Sequence, residues 1–111
     1  MTEKYYAAEV KSFTKGTTSI AIVTKKYLQE GENILIIDDF LAHGEALNGL
    51  ISLVEQAGGR LAGAGIVIEK RFQHGGEQIR KRGVRVEALA AIERMKPGEV
   101  VFALDEHETV V

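Results

Sequence analysis

Apolar and polar positions along this chain change period several times, and each change marks an element. Tyr5 to Phe13 is β-prone with rough alternation, Lys15-Gly16-Thr17 has turn chemistry, and Ser19 to Thr24 (SIAIVT) is again strand-like. An antiparallel hairpin is therefore expected at the start. Ile34 to Ile37 is an unbroken apolar run, the mark of a strand covered on both faces. From Ala46 the apolar positions Leu47, Leu50, Ile51 and Val54 follow the spacing of an amphipathic helix, which Gly58-Gly59 stops. Leu61 to Glu69 (LAGAGIVIE) reads as the next strand, so strand, helix and strand predict a βαβ unit with parallel strands and a right-handed crossover. His74 to Arg82 predicts a weaker second helix ended by Gly83. Val84 to Ala90 predicts another strand, and Val100 to Leu104 a last one after the turn at Lys96-Pro97-Gly98. The pattern defines an α/β fold: a mainly parallel sheet flanked by helices, with an antiparallel hairpin at the N-terminus, in one domain over 1–111.

Composition narrows the function more than the fold. The 111 residues are 45% apolar with a single proline, enough to bury a real core. A net charge of −2 provides no overall basic field for nucleic acid or an anionic membrane, and the local basic runs at Lys70-Arg71 and Arg80 to Arg82 read as solvated faces. The absence of cysteine excludes disulfide and thiolate chemistry, and no stretch has the length and apolarity of a signal peptide or membrane span. A cytoplasmic location is the expectation.

The stretch with chemistry is ILIIDDFLAHGEA, residues 34 to 46. It drives an apolar strand into two adjacent carboxylates and then a loop of small residues. In open α/β sheets ligands sit at the carboxyl ends of the strands, which is where Asp38 and Asp39 fall. Two acceptor-only side chains in sequence suit a vicinal diol or a divalent cation, directly or through water; the bland reading is a pair of solvated or turn-capping acids. The loop Ala42-His43-Gly44-Glu45-Ala46 leads into the helix, so its free amides and the positive helix end form a nest for an anion such as phosphate. Neither GxxxxGK[ST] nor GxGxxG occurs. Diol pair followed at once by phosphate nest describes a site for a ribose 5-phosphate. Lys70 closes the strand GIVIE on the same sheet edge, where its ammonium suits a carbonyl acceptor, or else serves as a flanking surface lysine. Phe72 is placed either to stack on a base or to fill the rim of the core.

These residues resemble the phosphoribosyl-diphosphate (PRPP) motif of the type I phosphoribosyltransferases: four apolar residues, two acids, two apolar residues, a small-residue loop. IIDDFLAHGEA, AGAGIVIEKRFQ and VKSFTK together look most like the purine branch represented by the bacterial xanthine phosphoribosyltransferases. The resemblance runs from about Ala7 onward and implies the C-terminal portion of the family fold, expected as a truncated form with reduced or no activity. It implies transfer of the phosphoribosyl group from PRPP to xanthine or another 6-oxopurine in purine salvage. Asp38 and Asp39, the catalytic pair, would hold the ribose hydroxyls; Ala42, His43, Gly44, Glu45 and Ala46 would bind the 5-phosphate. Lys70 and Phe72 would meet the purine. Mg2+ would enter mainly on the PRPP pyrophosphate with no dedicated protein metal site, and the enzyme would be a homodimer. Two positions depart from the family pattern. Glu45 puts a negative side chain in an anion loop, so it must point away or weaken phosphate binding, and His43, no usual hydroxyl donor, reads as a rim residue. Lys11 and Lys15 border the segment that in the family belongs to a mobile loop.

Two other functions share parts of the pattern. A receiver domain also has this size, an acid pair and a Lys-Pro, here Lys96-Pro97, but its acids follow the first strand and its next long strand ends in a phosphoacceptor aspartate instead of Glu69-Lys70. A regulatory domain that binds PRPP without catalysis retains the same site.

Overall fold

The computed structural model describes residues 4–12 and 16–103; Phe13, Lys15 and Leu104, named above, lie outside the described residues. Strands β1 (Tyr5–Ser12) and β2 (Thr17–Thr24) pair antiparallel over their whole length, from Tyr5 opposite Thr24 to Ser12 opposite Thr17. A four-stranded sheet follows, in the order β3 (Asn33–Leu41), β4 (Arg60–Lys70), β5 (Val86–Lys96), β6 (Glu99–Phe102). The first three of these strands are parallel and β6 returns antiparallel, with Lys96 opposite Glu99 across Pro97-Gly98. Gly98 takes φ 79°, the left-handed value that a Pro-Gly turn needs at its second corner.

Helix α1 (Glu45–Gln56) joins β3 to β4, and α2 (Gly75–Lys81), preceded by a 3-10 turn at Arg71–Gln73, joins β4 to β5. Both helices pack on one face of the sheet. Ile36, Leu41, Ala64, Ile66 and Val86 from the strands meet Leu47, Ile51 and Val54 of α1 and Ile79 of α2 in a single core. Each buried Leu, Ile or Val contributes about 1.5–3 kcal/mol relative to exposure, which makes this face the main source of stability. The opposite side of α1 carries the hairpin. Gly49 lets it approach, since a methyl carbon there would lie 2.7 Å from Val10 Cγ2, and Gln56 Nε2 donates to Ala7 O at 2.7 Å.

The apolar run at Ile34 to Ile37 differs from its expected burial. Ile36 is buried, but Leu35 and Ile37 are 61% and 68% exposed. On the same face Val67 and Leu89 are also exposed, and the parallel register sets Ile37 beside Gly65. The run does mark a strand with two apolar faces; both helices lie on one of them, and none of the described residues covers the other. The strands also run longer than their apolar cores suggest: β3 continues through the acid pair to Leu41, and β5 runs on to Lys96. Among the described residues no helix is long and apolar enough to cross a membrane.

Candidate functional site

The acid pair sits in the last turns of β3, at the carboxyl edge of the parallel sheet. Asp38 Oδ1 accepts from the Asp39 N–H at 2.9 Å, and Asp39 Oδ1 accepts from the Phe40 N–H at 2.8 Å, so each carboxylate is held by the amide that follows it. Partial burial pushes the Asp38 carboxyl above its ordinary value. The Asp39 side chain adds to the rise through its hydrogen bond and charge, while the Asp39 amide works against it. Like charges side by side in a partly desolvated place favour a bound partner that donates hydrogen bonds.

Leu41, buried, then turns the chain into the loop at Ala42 to Gly44. Gly44 caps α1 in the left-handed region at φ 92°, a geometry that costs glycine nothing and a Cβ-bearing residue about 1–2 kcal/mol. The amides of Gly44, Glu45 and Ala46 have no acceptor among the described residues, leaving the first turn of α1 with donors to offer. His43 is exposed on this loop and Ala46 exposed on the first turn. Glu45 is half-buried, and its Oε1 is buried with no hydrogen-bond partner among the described residues. A carboxylate in the first helical turn is favoured by the helix dipole even so.

Lys70 ends β4 one strand away and reaches back toward this edge, its Nζ 5.7 Å from the centre of the Phe40 ring. Phe40 is 54% exposed beside the acids and offers a ring face at the site. Phe72 is placed differently: it lines a cleft of about 290 Å³ with Arg94, Met95, Lys96 and Glu99, built from β5 and β6 and including neither Lys70 nor the acid pair. The structure therefore brings together Asp38, Asp39, the loop and Lys70, and sets Phe72 apart from them. Among the described residues no three His, Asp or Glu side chains cluster at metal-binding distance.

Three features are not marked in the sequence. Phe40 is one of the two apolar residues after the acid pair, and nothing in their order shows it as the ring beside Lys70. Glu69, 1% exposed, receives two hydrogen bonds from Arg80, at 2.8 Å from Nη1 and 2.6 Å from Nη2, and Arg80 also donates to Val86 O. Glu69 thereby holds the guanidinium still more firmly in its charged form. This pair fastens the end of β4 to α2 and to the start of β5. The one available signal was an acid at the end of the otherwise apolar run GIVI. The third feature is the packing of Gly75 against the loop, where its N–H donates to Ala42 O.

Asp38 also sets a pH dependence. Its folded-state pKa is raised, so the protonated form is favoured in the native protein and the carboxylate is lost at a higher pH than for an unperturbed aspartate. A ligand that needs this carboxylate is expected to lose affinity as pH falls through the raised value, and Asp38→Asn to flatten that limb. Titrations of PRPP with magnesium between neutral and acid pH check this; a limb unchanged by Asp38→Asn would contradict it.

This architecture is the type I phosphoribosyltransferase-like α/β fold. Adenine phosphoribosyltransferase from Thermoanaerobacter pseudethanolicus matches it with a TM-score of 0.71 at 23% identity, over 82% of this chain and 51% of that one. The enzyme from Rhodothermus marinus matches with a TM-score of 0.67 at 29% identity, over 82% and 50%. In sequence the chain is similar to the xanthine phosphoribosyltransferases: 56% identical over 98 residues to that of Heliobacterium modesticaldum, covering 88% of this chain and 52% of the relative. It is 54% identical over 107 residues to that of Bacillus cytotoxicus, covering 96% and 53%. The chain thus spans about half the length of the curated relatives it matches. No family model matches it.

Proposed function

We propose that this chain carries the ribose-phosphate site of a purine phosphoribosyltransferase that transfers the phosphoribosyl group of PRPP to xanthine or another 6-oxopurine. The observation that carries this reading is the adjacency of the acid pair at the end of β3 to the amides of Gly44, Glu45 and Ala46, which have no acceptor among the described residues. The carboxylates accept from the 2- and 3-hydroxyls while the amides of Gly44 to Ala46 donate to the 5-phosphate, which fixes the sugar at both ends. Lys70, at the same edge, donates to a purine carbonyl. In the reaction a purine nitrogen bonds to the anomeric carbon as the bond from that carbon to pyrophosphate oxygen breaks, and the purine gives up a proton to balance. Charge develops on the sugar ring, so catalysis is positioning and electrostatics, with no side-chain nucleophile. The chemistry that magnesium supplies when bound is neutralisation of the leaving pyrophosphate.

The sequence likeness to xanthine phosphoribosyltransferases supports the choice of base, and the open apolar face of Leu35, Ile37, Val67 and Leu89 supports a chain that acts with further protein, as a homodimer or with the part of its relatives that it does not span. We take turnover by this chain alone to be reduced or absent. The test measures PRPP-magnesium binding and nucleotide formation from xanthine, guanine and hypoxanthine, for this chain and for a fusion in which the Heliobacterium relative supplies the part this chain does not span. Binding by both, with turnover of xanthine confined to or much faster in the fusion, is expected. A fusion that folds and turns over none of the three purines overturns the proposal.

A further inference from the structure

Gly75 and Gly76, the first two residues of α2, are both buried between two parts of the candidate site. On one side Gly75 donates its N–H to Ala42 O at 3.0 Å. A methyl carbon at Gly75 would overlap that oxygen and lie 2.5 Å from the His43 carbonyl carbon and 2.6 Å from Gly44 N. These are backbone atoms of the phosphate loop, which cannot swing aside as a side chain could. On the other side a methyl carbon at Gly76 would overlap Glu69 Oε2 and lie 2.9 Å from Glu69 Cδ. That carboxylate is fixed by Arg80. The loop also meets α2 through Gly44, where a Cβ would come 3.2 Å from Ile79 Cδ1 and 3.5 Å from the Gly75 Cα.

We infer that Gly75 is a positioning residue for the loop Ala42 to Gly44, and that through Gly76 and the Glu69–Arg80 pair it joins this loop to the end of β4 that carries Lys70. The contact shapes the loop with or without ligand; its functional meaning rests on the ribose-phosphate reading above. Neither glycine has positive φ, so a Cβ meets no backbone strain there and the effect of substitution is one of contact alone.

The test compares wild type with Gly75→Ala by amide NMR and by PRPP-magnesium titration. In the ligand-free spectra the variant is expected to displace the amides of His43, Gly44 and Glu45 while those of β1 and β2 stay in place. PRPP affinity is expected to fall by about 10- to 10²-fold, the loss of one hydrogen bond from a displaced loop amide to a charged acceptor. A folded variant with unmoved loop amides overturns the inference. Should the variant fail to fold, the wild type decides: the Gly75 amide is expected to be protected from hydrogen exchange, and an amide that exchanges as fast as an exposed one overturns the inference. Failure of the wild type to bind PRPP would instead count against the functional reading, since the loop displacement and the exchange protection are measured without ligand.

Discussion

Arg80→Ala is expected to destabilise the chain by about 2–3 kcal/mol, less than the cost of breaking a fully buried ion pair because the Arg80 side chain is 34% exposed while that of Glu69 is not. Glu69 is 1% exposed and takes both its hydrogen bonds from this guanidinium, so its charge would be left in the protein with nothing to compensate it. The variant also removes the donors to Val86 O, freeing the start of β5. Against a total of about 5–15 kcal/mol for a typical domain, the loss is a large fraction. Replacing both partners by leucine is expected to cost clearly less than Arg80→Ala alone, because an apolar pair leaves no buried charge. Urea denaturation followed by circular dichroism measures both. Equal midpoints for wild type and Arg80→Ala would show that the pair is not holding the corner of β4, α2 and β5.

The double variant Asp38→Asn with Asp39→Asn is expected to lower PRPP affinity by about 10- to 10²-fold. Each asparagine keeps an acceptor oxygen but loses the charge, which is worth about 1 kcal/mol per hydrogen bond, and the pair supplies two such acceptors. Stability should move in the other direction or not at all. Burial raises the Asp38 pKa, which means the native protein already disfavours that carboxylate at neutral pH, and its neutral isostere removes the penalty. A melting temperature equal to or above wild type, together with lost binding in calorimetry, is the combined result expected. Loss of both together would mark the acids as parts of the scaffold. Residues that cost stability and are kept for binding are common at functional sites.

The features legible in the sequence were those that rest on local period. Leu47, Leu50, Ile51 and Val54 announced α1 because a helix face repeats within a few residues, and α1 begins at Glu45, one residue before the expected Ala46. The hairpin and the parallel β3–β4 pair followed from strand patterning and from the helix between them. What stayed hidden is set by contacts between segments far apart in the chain. The run Ile34 to Ile37 told of two apolar faces, but which of them the helices cover depends on where both helices lie. Glu69 and Arg80 are eleven residues apart on different elements, and the apolar run before Glu69 hints at its burial without naming its partner. Phe72 and Lys70 are two residues apart, but Phe72 lies within the 3-10 turn that follows β4 and lines the β5–β6 cleft, while Lys70 leans toward Phe40. The acid pair and the small-residue loop are contiguous in sequence, so their places at the end of β3 and the start of α1 follow from residue order. The contact of Gly75 with that loop does not, since Gly75 and Ala42 come together only once α2 is folded beside α1.

The most direct measurement of the central claim is an amide NMR titration of the chain with ribose 5-phosphate and with PRPP-magnesium. The account predicts saturable shifts at Asp38, Asp39 and Gly44 to Ala46 with both ligands, absent in the Asp38→Asn, Asp39→Asn variant. Shifts confined to other parts of the chain, or none at millimolar ligand, would contradict it.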